Sequence, residues 1–258
     1  MAGHGKLKDG YRHVKERIGE AAARGGHHPE DVVLVAVTKT ATPDQIRSLV
    51  EAGHQDFAES RVQQLTQRVV ALEEFLGRKR FLARDSADAP ELSVRWHMIG
   101  HLQRNKVKQV VPLVQMIHSV DSLRLAEELH ALGAKLNSCD EQDTGQIDIL
   151  LQVNASGEEN KFGLVVPAVI HFAEQIDTML NLRLRGLMTM APMTDNRELI
   201  RACFTRTAEL FCEVRRESFV TEHFNILSMG MTNDFEIAIE EGANLVRVGR
   251  AIFGEGEE

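Results

Sequence analysis

A lysine ends a very apolar stretch of this sequence, VVLVAVTKT at residues 32–40. Side chains alternate between the two faces of a strand, so Val35, Val37 and Lys39 share one face. An amine beside an apolar wall is partly desolvated, which favours the neutral, nucleophilic form that a Schiff base requires. The simpler interpretation is a lysine that ends a strand and extends into solvent.

An arginine interrupts a second apolar stretch, NLVRVGRAIFG. By the same alternation, Arg247 and Gly249 share the face opposite Val246 and Val248. In a closed parallel barrel the valines would face the outer helices and Arg247 would face the interior. Because a buried, unpaired guanidinium is very costly, Arg247 requires either a carboxylate on a neighbouring strand or a bound ligand.

The stretch LSMGMTNDFEIAIEEG has the pattern of an anion site between a strand and a helix. Thr232 or Asn233 is predicted to cap the helix, whose first backbone N–H groups would face an anion. Gly230 would allow close approach of the backbone, and Gly249 and Arg250 follow the next strand. The alternative is an ordinary helix cap with a glycine for packing.

These residues must be positioned by strands that alternate with helices almost throughout the chain. Apolar patterns predict strands at 32–39, 54–60, 95–101, 115–121, 147–154, 182–190, 224–231 and 244–249. A segment compatible with a helix lies in each connection, which implies parallel pairing through crossovers. We therefore expect a closed (β/α)8 TIM barrel, with active residues at the carboxyl ends of its strands. A doubly wound open sheet is the alternative, but no GxGxxG follows the first strand.

The predicted domain organisation is a single barrel domain over residues 1–258, because no linker-like stretch divides the chain. An extra N-terminal helix falls within residues 1–30. Residues 77–93 have no regular pattern and are predicted to form a surface loop or insertion.

Composition excludes several classes of function. The net charge of −8 argues against a broad nucleic-acid surface, and no stretch is apolar enough for a membrane span or a secretory signal, so we expect a cytoplasmic protein. The 3 cysteines form no CxxC pattern. His97 and His101 are four residues apart on a predicted strand, hence roughly 13 Å apart, and no metal site is expected.

A Schiff-base lysine, an anion site and a pocket arginine together suggest pyridoxal 5′-phosphate (PLP). A barrel enzyme that binds another phosphate and uses Lys39 as an aldolase does is a further interpretation. On longer stretches, the sequence resembles the pyridoxal phosphate homeostasis protein family, also called YggS-like or proline synthase co-transcribed proteins, relatives of the alanine racemase barrel. The matching stretches are LVAVTKT, FAESRVQQ, WHMIGHLQRNKVKQVV, HSVDS, ILLQVNASGEENKFGL, LRGLMTM and LSMGMTNDFEIAIEEGANLVRVGRAIFGE.

The resemblance implies a role for each matching residue. Lys39 would hold PLP as a Schiff base, and Arg247 would be the partner of the pyridine nitrogen. The implied phosphate contacts are Thr232, where the family usually has serine, and backbone N–H groups near Asn233, Gly249 and Arg250. The residues from Met229 to Met231 would lie along the cofactor.

Two positions depart from the family pattern. Ser60 stands where an asparagine usually contacts the cofactor, and Arg250 replaces a threonine or serine after Val-Arg-Val-Gly. The guanidinium of Arg250 either takes over the phosphate contact or points away.

The implied function is PLP homeostasis or delivery without robust catalysis. An arginine only donates hydrogen bonds, so it disfavours a protonated pyridine and weakens the cofactor as an electron sink. The racemases of the related fold use a tyrosine from a second domain, whereas this chain has 1 tyrosine, Tyr11, in the N-terminal helix. An amino-acid racemase or another PLP-dependent enzyme is the alternative. The family precedent favours a monomer, and the basic stretch LQRNKVKQ is either a solvated helix face or a surface that docks PLP-dependent apoenzymes.

Overall fold

The computed structural model describes residues 2–82, 93–139, 146–217 and 219–254. Within these ranges the strands are β1 (Val33–Val37), β2 (Asp56–Glu59), β3 (Arg95–Met98), β4 (Met116–Val120), β5 (Ile147–Asn154), β6 (Leu164–Val165), β7 (Leu182–Thr189), β8 (Ile226–Ser228) and β9 (Leu245–Val248). The described helices are α1 (Ala2–Gly25), α2 (Pro43–Glu51), α3 (Val62–Leu82), α4 (Val107–Val110), α5 (Leu123–Cys139), α6 (Val169–Asp177), α7 (Arg197–Arg215), α8 (Phe235–Glu240) and α9 (Arg250–Phe253).

The sheet closes on itself. All described pairings are parallel, in the order β4-β3-β2-β1-β9-β8-β7-β5, and the pairing of β4 with β5 completes the ring. The two-residue strand β6, which the sequence pattern did not predict, adds to the end of β5 outside the ring. The predicted (β/α)8 TIM barrel is therefore confirmed for the described part of the chain.

Alternation along the strands divides the core into two layers. Val246 and Val248 pack with the outer helices in the main core, and the barrel interior contains a smaller cluster of Val35, Ala58 and Leu245. A second interior cluster consists of Met116, Leu150 and Met188. The predicted inward face of β1 and β9 is thus confirmed.

The extra N-terminal helix predicted within residues 1–30 is present and extends from Ala2 to Gly25. Helix α1 packs on α8 and α9, and Gly10 lies so close to α9 that a Cβ would come within 2.9 Å of the Ala251 carbonyl oxygen. The guanidinium of Arg17 donates two hydrogen bonds of 2.9 Å to Glu236 on α8. These contacts fix α1 beside the strands that would hold an anion.

Several predicted boundaries were wrong. The strand predicted at 95–101 ends at Met98, and the strand predicted at 224–231 is Ile226–Ser228. Strand β1 ends at Val37 rather than at residue 39, because the Thr38 carbonyl accepts from the Ala41 N–H at 2.8 Å and closes a turn. Helix α3 continues to Leu82, so the first six residues of the predicted loop at 77–93 are helical. Most of the remainder of that loop, 83–92, lies outside the described residues. The assignment of one domain stays a prediction.

Candidate functional site

The predicted site residues meet on one side of the barrel mouth. Lys39 follows β1, Ser60 follows β2, the turn at 230–234 follows β8, and Gly249 and Arg250 follow β9. Strands β2, β1, β9 and β8 are consecutive neighbours in the ring, and Val35 pairs with Arg247 in the β1–β9 ladder. Because the strands are parallel, their carboxyl ends lie together, as barrel enzymes require.

Lys39 lies in the turn after β1 and is exposed. The expectation that the barrel wall desolvates it was wrong, because the strand ends two residues before it. No described residue pairs with its amine. The residue before it is fully buried: the Thr38 hydroxyl lies 2.5 Å from Glu59 Oε1, and the Thr38 N–H donates to the Ala58 carbonyl at 3.0 Å. The backbone beneath Lys39 is therefore fixed and its side chain is accessible.

A buried ion pair supports this turn from outside the barrel. The Nε of Arg68 on α3 lies 2.9 Å from Glu59 Oε1, and Glu59 is fully buried. Burial raises the pKa of Glu59 and lowers that of Arg68, although each charge partly offsets the shift of the other. Within the described structure, Glu59 Oε2 and Arg68 Nη1 are buried without hydrogen-bond partners.

Arg247 lies inside the barrel and is 3% exposed. Its Nη1 donates to Ser228 Oγ at 2.5 Å and its Nη2 donates to the Thr189 carbonyl at 2.8 Å. Burial lowers its pKa to about 10, against attraction from Asp234, so the guanidinium keeps its charge at neutral pH. A carboxylate on a neighbouring strand was one predicted partner; in the described residues the partners are a hydroxyl and a carbonyl. Because both of these partners are uncharged, the positive charge of Arg247 remains able to interact with a bound group.

The turn after β8 has the features of an anion cradle, although its details differ from the prediction. Thr232 or Asn233 was predicted to cap α8, but the residue at the cap position is Asp234. Asp234 Oδ1 accepts a hydrogen bond from the Met231 N–H at 2.5 Å. This bond closes a turn before the helix, and Thr232 and Asn233 lie within that turn. Burial raises the pKa of Asp234, against the hydrogen bond from Met231.

The N–H groups of this turn are available to a ligand. No described residue accepts a hydrogen bond from the backbone N–H of Thr232, Asn233 or Arg250. Arg250 is the first residue of α9, after β9, so N–H groups from two neighbouring strand ends are open at the mouth. Such groups form anion sites, and the described residues therefore fit a phosphate.

Gly230 is required by packing. Its φ is 90°, and a Cβ there would come within 2.6 Å of Ala238 Cβ and 2.7 Å of Phe235 Cα. Gly249 is also tight, since a Cβ would lie 2.9 Å from the Val37 carbonyl oxygen. Both glycines hold the cradle against its neighbours.

Within the described part of the chain, the remaining predicted site residues have no side-chain contact that ties them to the cofactor site. Met229 packs in the outer core, so its side chain does not line the mouth, while Met231 is 38% exposed. Ser60 is partly exposed and Arg250 is exposed; neither side chain has a partner among the described residues.

Sequence reasoning missed a chain of polar groups in the barrel interior. Asp56, His97, His118 and Ser228 are all buried there, below Arg247. His97 Nε2 lies 3.2 Å from Asp56 Oδ1, His97 Nδ1 lies 3.0 Å from His118 Nε2, and His118 Nδ1 lies 3.2 Å from Ser228 Oγ. Alternation along WHMIGH puts His97, Ile99 and His101 on one face but does not show whether that face is inward; the structure places His97 and Ile99 inside.

At the end of this series of polar groups away from Arg247, the negative charge of Asp56 is balanced by Arg95. Arg95 donates to both oxygens of Asp56, at 2.7 and 2.6 Å. Burial would raise the pKa of Asp56, but the hydrogen bonds from Arg95 and His97 outweigh it and hold the pKa well below the ordinary value. Burial, His97 and Arg247 lower the pKa of His118 strongly, so its ring is neutral at pH 7.

Two titratable residues at the mouth, His101 and Asp121, are not part of this hydrogen-bonded series. His101 Nδ1 lies 3.4 Å from Asp121 Oδ2, and the ring stacks on Phe162 with centroids 4.1 Å apart. In the described part of the chain, no cluster of His, Cys, Asp and Glu could hold a metal ion. No described helix is long and apolar enough to cross a membrane.

The barrel and its mouth define a class, the α/β barrels of the alanine racemase type: the family model described as alanine racemase, N-terminal domain matches residues 13–257. The pyridoxal phosphate homeostasis protein of Aquifex aeolicus is 36% identical over 242 residues, which are 94% of this chain and 95% of that protein. The chain belongs to the family of pyridoxal phosphate homeostasis proteins, and the resemblance seen in the sequence is confirmed.

Solved structures agree. The crystal structure of an unknown protein from Bifidobacterium adolescentis superposes with a TM-score of 0.83 at 35% identity, and the match covers 98% of this chain and 96% of that chain. PipY of Synechococcus elongatus, solved with PLP bound, has a TM-score of 0.70 at 28% identity and covers 92% of this chain and 100% of its own.

Proposed function

We propose that this chain binds PLP covalently through the amine of Lys39 and holds it for PLP homeostasis or delivery, without robust catalysis. The observation that carries the proposal is the grouping of an accessible lysine, a buried arginine and open backbone N–H groups at the ends of neighbouring strands. Family membership and the PLP-bound structure of PipY support the choice of cofactor.

Each part of the mouth has a proposed task. PLP supplies an aldehyde that an amine can bind and a ring that can withdraw electrons. Lys39 provides the amine on a turn fixed by Thr38. The hydroxyl of Thr232 and the open N–H groups of Asn233 and Arg250 bind the phosphate, and Arg247 donates toward the pyridine nitrogen. Gly249 keeps the start of α9 against β1.

Arg247 also limits the chemistry. With a pKa of about 10 it stays a donor at neutral pH, so it disfavours the protonated pyridine that carbanion chemistry needs. Tyr11, the 1 tyrosine of the chain, hydrogen-bonds His54 Nδ1 at 3.2 Å. His54 precedes β2, so this tyrosine lies toward the opposite end of the barrel from the mouth.

A second candidate function, amino-acid racemisation, needs another acid/base group at the mouth. The paired His101 and Asp121 are the observation that favours it, because both follow the carboxyl ends of their strands. Racemase activity that is lost in both Lys39→Ala and His101→Asn would establish this alternative.

We further propose that the chain acts as a cytoplasmic monomer of one domain and passes PLP to PLP-dependent apoenzymes. The basic stretch around Arg104 and Lys108 is a candidate docking surface near the mouth, as in the family resemblance. Mixing the loaded protein with a PLP-dependent apoenzyme, and following the activity that the apoenzyme regains, tests delivery.

The test of PLP binding is borohydride reduction of the loaded protein, followed by peptide mass analysis. A phosphopyridoxyl group on Lys39, absent from Lys39→Ala and retained in Lys108→Ala, supports the proposal. Lys108 is a suitable control because it is an exposed lysine on α4. A protein that remains colourless with excess PLP would refute it.

A further inference from the structure

The hydrogen bonds inside the barrel form one continuous line from Arg247 to Asp56, through Ser228, His118 and His97. All of these residues are buried, and they come from five strands, namely β9, β8, β4, β3 and β2. Only Arg247 has a proposed contact with the cofactor. The line connects that residue with an ion pair at the other end of the barrel.

The direction of every bond follows from donor and acceptor chemistry. Arg247 can only donate, so Ser228 Oγ accepts from it and has one proton left for His118 Nδ1. His118 then carries its proton on Nε2 and donates to His97 Nδ1. His97 in turn carries its proton on Nε2 and donates to Asp56 Oδ1.

The reverse order is unfavourable. If His118 donated to Ser228, no described acceptor would take the serine proton. His97 would then either set a lone pair against the Asp56 carboxylate or become a second buried cation. Either state costs more than the satisfied order, since unpaired buried polar groups and charges are expensive.

We propose that His97 and His118 are positioning residues for the cofactor site: through Ser228 they hold the Arg247 guanidinium in the orientation from which it donates to the cofactor ring. This inference rests on the proposed function. Because the Ser228 proton is committed to His118, its lone pairs remain directed to Arg247. The Thr189 carbonyl fixes Nη2, so both ends of the guanidinium are held.

A purely structural role is the alternative, and two variants separate it from positioning. His97→Leu removes the acceptor of the His118 Nε2 proton without touching Ser228 or Arg247. Ser228→Ala cuts the line next to Arg247. Leu150→Ala is the control, because Leu150 lies in an apolar interior cluster and its truncation weakens the barrel without altering the polar line.

The first measurement uses PLP-free protein and 15N chemical shifts of the imidazoles. In the wild type we expect the His118 proton on Nε2, facing His97, and the His97 proton on Nε2, facing Asp56. In His97→Leu, His118 should move its proton to Nδ1, reversing the bond to Ser228. Wild-type rings with the opposite tautomer, or a His118 ring that does not respond to His97→Leu, would overturn the inference.

The second measurement uses the loaded protein and 15N-labelled PLP. We expect an unprotonated pyridine nitrogen in the wild type and in Leu150→Ala. In His97→Leu and Ser228→Ala the shift should move toward the protonated form, and the dissociation constant of PLP should rise about tenfold, the size of one hydrogen bond to a charged group.

The outcomes distinguish the two proposals. A wild type that takes up no PLP refutes the proposed function and this inference with it. A wild type that binds PLP, with variants that match Leu150→Ala in pyridine shift and affinity, refutes the inference alone. Should one variant fail to fold, the other still decides the result.

Discussion

His97 and His118 are in direct contact within the barrel, with Nδ1 of one ring 3.0 Å from Nε2 of the other. The two rings meet edge to face at an interplanar angle of 83°. They come from neighbouring strands, β3 and β4, and both are buried. The barrel interior below the cofactor site is therefore polar and ordered, with apolar clusters beside it.

The buried His118 ring makes the stability of the protein depend on pH. Burial, His97 and Arg247 lower the pKa of His118 below the ordinary value of 6.5. In the unfolded chain His118 binds a proton at about pH 6.5, whereas in the folded chain it stays neutral at that pH. The free energy of unfolding therefore falls as the pH falls. From pH 7.5 to pH 5, protonation linked to His118 alone should lower the free energy of unfolding by about 2 kcal/mol.

Denaturant unfolding of the wild type and of His118→Gln at both pH values checks this. Burial raises the pKa of Glu59 and Asp234, which acts in the opposite direction, so the difference between the two proteins is the quantity to compare. His171→Asn, which removes an exposed histidine, is the matched control. Equal pH dependence in wild type and His118→Gln would contradict the prediction.

Alternation alone predicted much of the fold. The face assignments of Val35, Arg247 and Val248 were correct because β1 and β9 are regular, with an unbroken register from Val33–Leu245 to Ala36–Val248. A period of two needs no long-range information. The barrel itself followed from counting such strands and the helices between them.

Details that depend on individual hydrogen bonds, distant or local, were not predictable. His118 and Ser228 are 110 residues apart in sequence, so their contact depends on the register across the closed barrel. The end of β1 depends on a turn at Thr38, and the cap of α8 depends on how Asp234 folds back to Met231. In each case the deciding hydrogen bond involves residues that the strand and helix patterns do not single out.

A glycine pair tests the anion cradle. Gly230 and Gly242 both have positive φ, 90° and 96°, but a Cβ would clash only at Gly230, where it meets Ala238 and Phe235. Gly242→Ala should lose about 1–2 kcal/mol from backbone strain. Gly230→Ala should lose about 1–3 kcal/mol more from overpacking, together with PLP affinity. Thermal unfolding and PLP titration of both variants measure this; similar losses would show that the cradle tolerates a methyl group.

Arg250 tests how this chain replaces the hydroxyl of its relatives. If the guanidinium binds the phosphate, Arg250→Ala should weaken PLP binding about tenfold or more, as expected for a charge-assisted hydrogen bond. Arg250→Thr should recover part of the affinity. Arg206→Ala, at an exposed arginine of α7, controls for net charge. Wild-type affinity in Arg250→Ala would mean that the side chain points away and that backbone N–H groups suffice.

The buried Glu59–Arg68 pair should matter for both stability and the lysine turn. Glu59→Gln leaves the Arg68 guanidinium largely buried without a counter-charge, which typically costs about 3–5 kcal/mol. It also changes the group that Thr38 contacts directly beneath Lys39, so less PLP should be trapped on Lys39 by borohydride under conditions where the protein is still folded. Glu74→Gln breaks an exposed pair with Arg78 on the same helix as Arg68 and should cost under about 1 kcal/mol with full trapping. Full trapping in folded Glu59→Gln would show that the pair stabilises the barrel without organising the site.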